Sequence, residues 1–275
     1  MASDIAKING IPAIGFGTYP LSGSEAQKAI EMALEVGFRH FDTAQMYGNE
    51  AELGSALAGS GLPPQELFVT TKVSAANLDA RRFLPSVKRS LEQLRLTRVD
   101  LLLIHWPPDG TKQIEPCIDR LNAAAESGLA ARIGISNFPV AFMRRAAARS
   151  ARKLANNQVE FHPLLNQHML KEAAGELGIS LSAYCPLARG AALSQPAVAA
   201  IAKRLNESPA TVVLRWIIQQ GVVALPMTTK RDNAKSNLRA LDIILNAEDM
   251  DAITALTQAN LRIVSPASMS AHWDK

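Results

Sequence analysis

The chain alternates between two patterns of apolar and polar positions. Short, nearly continuous apolar runs such as LFVTT, DLLLIHW and VVALPM are typical of strands in a parallel sheet that is buried on both faces. Between these runs, apolar residues recur three and four positions apart, as at Leu84, Val87, Leu91 and Leu94, which is the pattern of an amphipathic helix. The chain is therefore predicted to alternate strands and helices.

This alternation predicts eight strand–helix units. The predicted strands cover residues 14–19, 40–44, 67–73, 100–106, 132–137, 157–162, 179–185 and 222–228. An Asn-Gly pair before the first strand predicts a β-hairpin, and Ser24 with Gln27 has the spacing of a capping box at the first helix. We predict one α/β domain over residues 1–275, a (β/α)8 TIM barrel with an N-terminal β-hairpin, an extra C-terminal helix over 247–256 and a tail packed on the barrel.

Composition excludes several classes of protein. Hydrophobic residues make up 48% of the chain and charged residues 20%, which is typical of a globular protein. The net charge of +4 comes from dispersed residues, so no nucleic-acid partner is expected. Cys117 and Cys185 lack CxxC spacing, which predicts free thiols in a reducing compartment. Without a signal-peptide pattern or an apolar run near ~20 residues, we expect a cytoplasmic protein with no membrane partner. No long exposed apolar face marks an interface, so we expect a monomer.

Reactive side chains stand at the carboxyl ends of the predicted strands, where active sites of (β/α)8 barrels lie. Asp42 ends the second strand, Lys72 the third and His105 the fourth, and Tyr47 follows Asp42 on a polar loop. Charged groups on apolar strands are costly unless they are paired, so we predict that these four residues share one site. The later strands carry further polar or aromatic residues near their ends, namely Ser136, Asn137, Gln158 and Tyr184.

The four residues suggest a chemistry. Asp42 is expected to keep Lys72 protonated, and a cation beside Tyr47 is expected to lower the pKa of the phenol from its usual ~10, which would make it a general acid. His105 is expected to donate a hydrogen bond to a carbonyl oxygen. An acid and an orienting donor without a nucleophile suit carbonyl reduction, with the hydride supplied by a nicotinamide cofactor.

Two other functions remain open at this point. A lyase barrel would use Lys72 as a Schiff-base amine, but that nucleophile must be neutral and an aspartate partner opposes this. A non-catalytic sensor would bind NADP(H) and contact another protein, which the complete set of four reactive residues argues against. No HExxH, CxxC or paired His–carboxylate spacing is present, so no metal is predicted.

Six segments of the chain resemble the successive signature segments of the aldo-keto reductases. They are HFDTAQMYGNE, LFVTTKV, LLLIHWP, GLAARIGISNF, NQVEFHP and AYCPLARG, and they follow the order and spacing of that family over nearly the whole chain. The chain is most similar to small bacterial members that reduce 2,5-diketogluconate and related α-ketocarbonyls. The resemblance implies an NADPH-dependent reductase of aldehydes and activated ketones, including α-ketoaldehydes such as methylglyoxal. The catalytic tetrad would be Asp42, Tyr47, Lys72 and His105.

The resemblance also implies where cofactor and substrate bind. Ser136, Asn137 and Gln158 would hold the nicotinamide carboxamide, Tyr184 would stack on its ring, and Asn237 would contact the adenine. The full set of implied cofactor contacts is Gly17, Thr18, Asp42, Ser136, Asn137, Gln158, Tyr184, Pro186, Leu187, Arg189, Gly190, Thr228, Thr229, Lys230, Asn233 and Asn237. The implied substrate contacts are Tyr19, Tyr47, His105 and Trp106.

The chain departs from the family pattern at four positions. Tyr19 stands where many relatives have tryptophan, and Cys185 replaces a common serine. Met227 and Asn233 stand where many members place the lysine and arginine that meet the 2′-phosphate. We expect NADP(H) with Lys230 as the phosphate-binding cation; the alternative is that Lys230 is a solvated surface charge. Short loops at 107–113 and 186–195 predict an open cavity for small, polar, activated carbonyls.

Overall fold

The chain begins with the predicted β-hairpin. The computed structural model describes residues 6–108 and 113–274. Strands β1 (Lys7–Ile8) and β2 (Ile11–Pro12) pair antiparallel. The turn between them has φ of 50° at Asn9 and 81° at Gly10. Positive φ at both central residues is what a two-residue hairpin turn requires, and Asn-Gly supplies it with little strain.

Eight parallel strands follow, each paired with the next along the chain. They are β3 (Phe16–Gly17), β4 (His40–Asp42), β5 (Phe68–Val73), β6 (Val99–Ile104), β7 (Ala130–Ser136), β8 (Leu154–Glu160), β9 (Ser180–Tyr184) and β10 (Val222–Ala224). The ends of the sheet meet where Ile14 bridges Ala224 and where the Gly15 N–H donates to the Ala224 carbonyl at 2.9 Å. The sheet therefore closes, and the predicted (β/α)8 barrel is confirmed.

Helices separate the strands and cover the outside of the barrel. They are α1 (Gly23–Val36), α2 (Glu50–Gly59), α3 (Phe83–Leu94), α4 (Ile114–Glu126), α5 (Val140–Arg149), α6 (His168–Glu176), α7 (Pro196–Leu205), α8 (Pro209–Gln219), α9 (Arg231–Leu238) and α10 (Ala247–Thr254). The last of these is the predicted extra helix. No helix in the described part of the chain is long and apolar enough to cross a membrane.

The inside of the barrel changes from apolar to polar along its axis. Alternate residues of a strand face the same side, so Phe68, Thr70 and Lys72 rise in that order along β5, and Leu101 and Leu103 of β6 precede His105, which follows the strand. Phe68, Leu101 and Leu103 are buried in one cluster with Ile11 of the hairpin, which seals the lower end of the barrel. Ligand-binding chemistry is thereby confined to the carboxyl ends of the strands.

Several local predictions were wrong. The first strand of the barrel spans Phe16–Gly17 rather than residues 14–19, and two other differences have a clear physical cause. Helix α1 begins at Gly23 after Ser22, and the Ser24–Gln27 capping box does not form, because Ser24 already lies inside the helix. The Gln27 side chain donates to Glu31 instead, at 2.9 Å. Strand β10 ends at Ala224 rather than at residue 228, since Pro226 has no N–H to continue a strand ladder.

The tail packs on the barrel, as predicted. The Arg262 guanidinium lies 4.1 Å from the centre of the Trp273 ring, and that ring lies 6.4 Å from the Trp106 ring. Asp274 accepts a hydrogen bond from the Val140 N–H at 3.0 Å, at the start of α5. These contacts bring the end of the chain to the mouth of the barrel.

Candidate active site

Asp42, Tyr47 and Lys72 meet at the top of the barrel. Lys72 Nζ lies 2.5 Å from Asp42 Oδ1, 2.9 Å from the Thr43 carbonyl oxygen and 3.2 Å from the Tyr47 hydroxyl. The strand register explains this, because Asp42 pairs with Thr70 and Lys72 is the next residue of β5 on the same face. The Lys72 side chain is fully buried, so its three partners replace water.

Tyr47 sits on a short 3₁₀ turn, Gln45–Tyr47, which ends at Gly48 with φ of 67°. The Gln45 side chain holds this turn in place. Its amide donates to Ser86 and Ser90, and its oxygen accepts from the Ser74 N–H at 3.0 Å. Gln45 was missed by sequence reasoning, because its partners lie far along the chain, on α3 and on the connection between β5 and α3.

The pKa of Tyr47, beside Lys72, does not shift in the predicted direction. Burial raises the pKa of Tyr47 above its usual value, and Lys72 opposes this without reversing it. The predicted lowering was therefore wrong in sign: the sequence indicates the cation but not the burial. Burial alone would lower the pKa of Lys72, yet Asp42 and Tyr47 together raise it. The site thus holds a protonated phenol beside a protonated amine at neutral pH.

His105 follows β6 and faces Tyr47, with ring centres 5.5 Å apart. Burial, with Lys72 nearby, lowers the pKa of His105 to about 3, so its imidazole is neutral at physiological pH. Its Nδ1 is buried without a hydrogen-bond partner among the described residues. The other ring nitrogen of His105, Nε2, faces the cavity. In the tautomer protonated on Nε2, its N–H is a hydrogen-bond donor available to a ligand in the cavity.

A hydrogen-bonded set from β7, β8 and β9 lies beside this group. Gln158 Nε2 donates to Asp42 Oδ2 at 2.6 Å, and the Tyr184 hydroxyl donates to Asn137 Oδ1 at 2.7 Å. Asn137 Nδ2 donates to the His105 carbonyl at 3.0 Å, and Ser136 Oγ to the Gln158 carbonyl at 2.8 Å. The predicted cofactor residues of these strands are therefore hydrogen-bonded to the predicted catalytic ones.

One cavity of about 690 Å³ opens above these residues. Most of the residues predicted as binding or catalytic line it, namely Gly17, Thr18, Tyr19, Asp42, Tyr47, His105, Trp106, Ser136, Asn137, Gln158, Tyr184, Pro186, Leu187, Arg189 and Gly190. Lys72 lies beneath Asp42 and does not line it. Thr228, Thr229, Lys230, Asn233 and Asn237 do not line it either, because they lie after β10, before or along α9.

Seven lining residues were absent from the predicted contacts, although two of them, Cys185 and Met227, had been noted as departures from the family pattern. They are Pro20, Met46, Cys185, Leu225, Pro226, Met227 and Val264. Met46 neighbours Tyr47 and was within reach of sequence reasoning, whereas Val264 arrives from the tail through long-range packing alone. The loops at 107–113 and 186–195 were predicted to be short. Residues 109–112 of the first loop lie outside the described residues.

The exposed chemistry of the cavity fits a nicotinamide cofactor. A carboxylate only accepts hydrogen bonds, so the Gln158 nitrogen faces Asp42 and its oxygen is left to accept from a carboxamide. The Tyr184 ring, half-buried at the cavity wall, provides an aromatic surface for stacking. The volume lies within the usual range of cofactor sites. The described residues contain no cluster of His, Cys, Asp and Glu that would hold a metal.

Comparisons with known proteins agree with this geometry. The family described as "Aldo/keto reductase family" matches residues 13–258. Methylglyoxal reductase DkgB of Escherichia coli O157:H7 is 43% identical over 266 residues, covering 96% of this chain and 99% of that protein. An aldo-keto reductase of Mycolicibacterium vanbaalenii is 42% identical over 250 residues, covering 91% of this chain and 90% of that protein.

Solved structures give the same result. A crystal structure provisionally identified as 2,5-diketo-D-gluconic acid reductase B has a TM-score of 0.94 at 42% identity, covering 98% of this chain and 96% of that one. The aldose reductase of Schistosoma japonicum has a TM-score of 0.89 at 30% identity, covering 95% and 93%. On this agreement of family and fold, the chain belongs to the aldo/keto reductase family and is an oxidoreductase that acts on carbonyl groups with a nicotinamide cofactor.

Proposed function

We propose that this protein reduces small aldehydes and activated ketones, above all α-ketoaldehydes and diketogluconate-like α-ketocarbonyls, with NADPH. The observation that carries the proposal is the position of the Tyr47 hydroxyl, 3.2 Å from Lys72 Nζ and beside the ring of His105, at one open cavity. A bound nicotinamide supplies the hydride that the carbonyl carbon receives.

Each residue of the tetrad has a separate task in this proposal. His105 donates a hydrogen bond from Nε2 to the carbonyl oxygen and orients it. Tyr47 gives its hydroxyl proton to that oxygen, and the charge of Lys72 stabilises the phenolate that remains. Asp42 keeps Lys72 charged, since their contact at 2.5 Å is buried. The same ion pair argues against Lys72 as a Schiff-base nucleophile, which must be neutral.

The proposed cofactor contacts extend from this group. Gln158, Ser136 and Asn137 would hold the carboxamide, and Tyr184 would face the nicotinamide ring. The 186–190 segment of the cavity wall would lie along the pyrophosphate. We also propose that the enzyme is a cytoplasmic monomer and that residues 1–275 form a single domain.

A substrate panel tests the reaction. We expect NADPH oxidation with methylglyoxal, phenylglyoxal and 2,5-diketogluconate, measured as the loss of absorbance of the reduced nicotinamide. Acetone serves as the control ketone without an activating group, and its kcat/KM is expected to be at least roughly tenfold lower, because its carbonyl is less electrophilic. No oxidation of NADPH by any member of the panel would refute the proposed reaction.

The coenzyme preference is tested at Lys230, the residue that precedes α9. Its side chain is exposed, and its backbone N–H donates to Thr228 Oγ1 at 3.1 Å, which holds the segment at the start of the helix. Neighbouring Arg231 is already engaged with Glu35. Lys230→Ala is therefore expected to raise the Kd of NADPH by about tenfold, through loss of one cation–phosphate contact, while leaving the Kd of NADH unchanged.

The matched control is Lys235→Ala, which removes the same charge from the last turn of the same helix. Both dissociation constants come from quenching of protein fluorescence at one fixed salt concentration. An unchanged Kd for NADPH in Lys230→Ala would place the 2′-phosphate contact on another residue.

A further inference from the structure

Glu160 is a fully buried carboxylate that the proposed reaction does not use. It is the last residue of β8, and it follows Gln158 on the same face of that strand, above the residues that surround Asp42. Its strand partner on β9 is Tyr184. A carboxylate in such a place is costly unless its oxygens are satisfied, so its partners indicate what it is for.

Three N–H groups point at Glu160. Oε1 accepts from the Ile263 N–H at 2.6 Å and from His162 Nε2 at 2.9 Å, and Oε2 accepts from the Val264 N–H at 2.7 Å. His162 Nδ1 accepts from the Leu164 N–H at 3.2 Å. That bond fixes the ring proton on Nε2, so the neutral imidazole donates to Glu160.

Two of these donors belong to the tail, more than 100 residues further along the chain. Val264 lines the cavity directly. Arg262 precedes the two tail residues whose N–H groups bind Glu160. It stacks on Trp273, whose ring packs against Trp106 beside His105. The point where the tail is fastened therefore sets the position of both Val264 and the support behind Trp106.

We infer that Glu160, oriented by His162, is a positioning residue that clasps the tail and so shapes the substrate end of the cavity. It touches neither substrate nor cofactor; it acts through Val264 and, by way of Trp273, through Trp106. This inference rests on the proposed function for its kinetic readout only, because the position of the tail is measurable without activity.

The first test is Glu160→Gln, which keeps size and shape but turns one acceptor into a donor that faces an N–H. We expect the KM for methylglyoxal to rise by about tenfold or more, as the loss of a charged hydrogen bond loosens the tail, with kcat within about threefold and the Kd of NADPH unchanged. Asp100→Asn is the matched control. Asp100 lies near the start of β6, and its carboxylate accepts a hydrogen bond from the Val69 N–H of β5. The control makes the same change from carboxylate to amide, and it is expected to leave the KM unchanged.

The second readout is trypsin cleavage after Arg262, followed by mass spectrometry of the shortened chain. In the wild type this peptide bond is protected, since its own N–H at Ile263 is held by Glu160. We expect cleavage at least about tenfold faster in Glu160→Gln and unchanged in Asp100→Asn. If the wild type has no reductase activity on the panel, the proteolysis result still decides whether the clasp exists.

The inference is overturned if Glu160→Gln has wild-type KM and wild-type cleavage at Arg262, even when its melting temperature falls, because Glu160 is then a stabilising residue only. Should Glu160→Gln fail to fold, Ile263→Pro removes a donor from the tail side and leaves β8 intact. The same rise in KM is expected there, and an unchanged KM in that variant rejects the clasp.

Discussion

Tyr47→Phe is expected to lower kcat by about 10²–10⁴-fold, the usual contribution of a general acid. The substitution removes one oxygen, the atom that lies 3.2 Å from Lys72 Nζ, and leaves the ring that packs against Tyr19 and His105 at 5.1 and 5.5 Å. The loss should therefore appear in the chemical step. Single-turnover reduction of methylglyoxal by enzyme-bound NADPH measures that step directly.

Binding of NADPH is the internal control for this variant. Its Kd should stay within about twofold of the wild-type value, because the proposed carboxamide contacts come from β7 and β8. A kcat within about twofold of the wild type would remove Tyr47 from the role of acid and make His105, the other group facing the substrate, the first candidate to replace it.

Lys72→Met is expected to abolish activity and also to destabilise the fold. It deletes the partner of Asp42, whose buried carboxylate would keep the amide of Gln158 as its one side-chain hydrogen-bond donor among the described residues. Breaking a buried ion pair from one side typically costs about 3–5 kcal/mol. Urea unfolding at pH 7 measures this loss in the free energy of unfolding, and steady-state kinetics measures the loss in rate.

The double variant Asp42→Asn with Lys72→Met separates the two effects. A neutral amide beside methionine leaves no uncompensated charge, so most of the lost stability should return while the activity stays absent. If the single Lys72→Met variant is as stable as the wild type, the ion pair does not stabilise the folded state. If the double variant is active, the tetrad assignment fails at Lys72.

Much of the fold and most of the site were predictable because strand ends converge. A parallel strand reads as an apolar run, and a charged or aromatic residue at its end, such as Lys72 or Tyr184, must lie at one rim of the barrel. The order of strands then brings Asp42, Lys72 and His105 together without any knowledge of distances. The end of β10 was misplaced because residues 225–228 continue its apolar pattern and the effect of Pro226 was overlooked.

Burial and long-range partners were not predictable in the same way. The sequence places a cation near Tyr47 but does not indicate how deeply the phenol is buried, and burial from solvent decides the direction in which its pKa shifts. Glu50 begins α2, and its buried carboxylate accepts from Thr71 at 2.5 Å and Ser90 at 3.1 Å, two partners that lie far from it in the sequence. Glu160 and Val264 likewise meet only through the folded tail.

The catalytic tetrad and the proposed cofactor contacts come largely from different halves of the chain. Asp42, Tyr47, Lys72 and His105 lie on β4 to β6 and their loops, whereas most of the proposed carboxamide, pyrophosphate and phosphate contacts lie from residue 136 onward. Within the candidate site, the two groups of residues are linked by the Gln158–Asp42 hydrogen bond and by the bond from Asn137 to the His105 carbonyl. Substitutions from residue 136 onward would therefore change the proposed cofactor contacts while leaving Tyr47 and Lys72 in place. Changes that keep the two bonds to Asp42 and His105 should alter coenzyme binding without removing the proton donor.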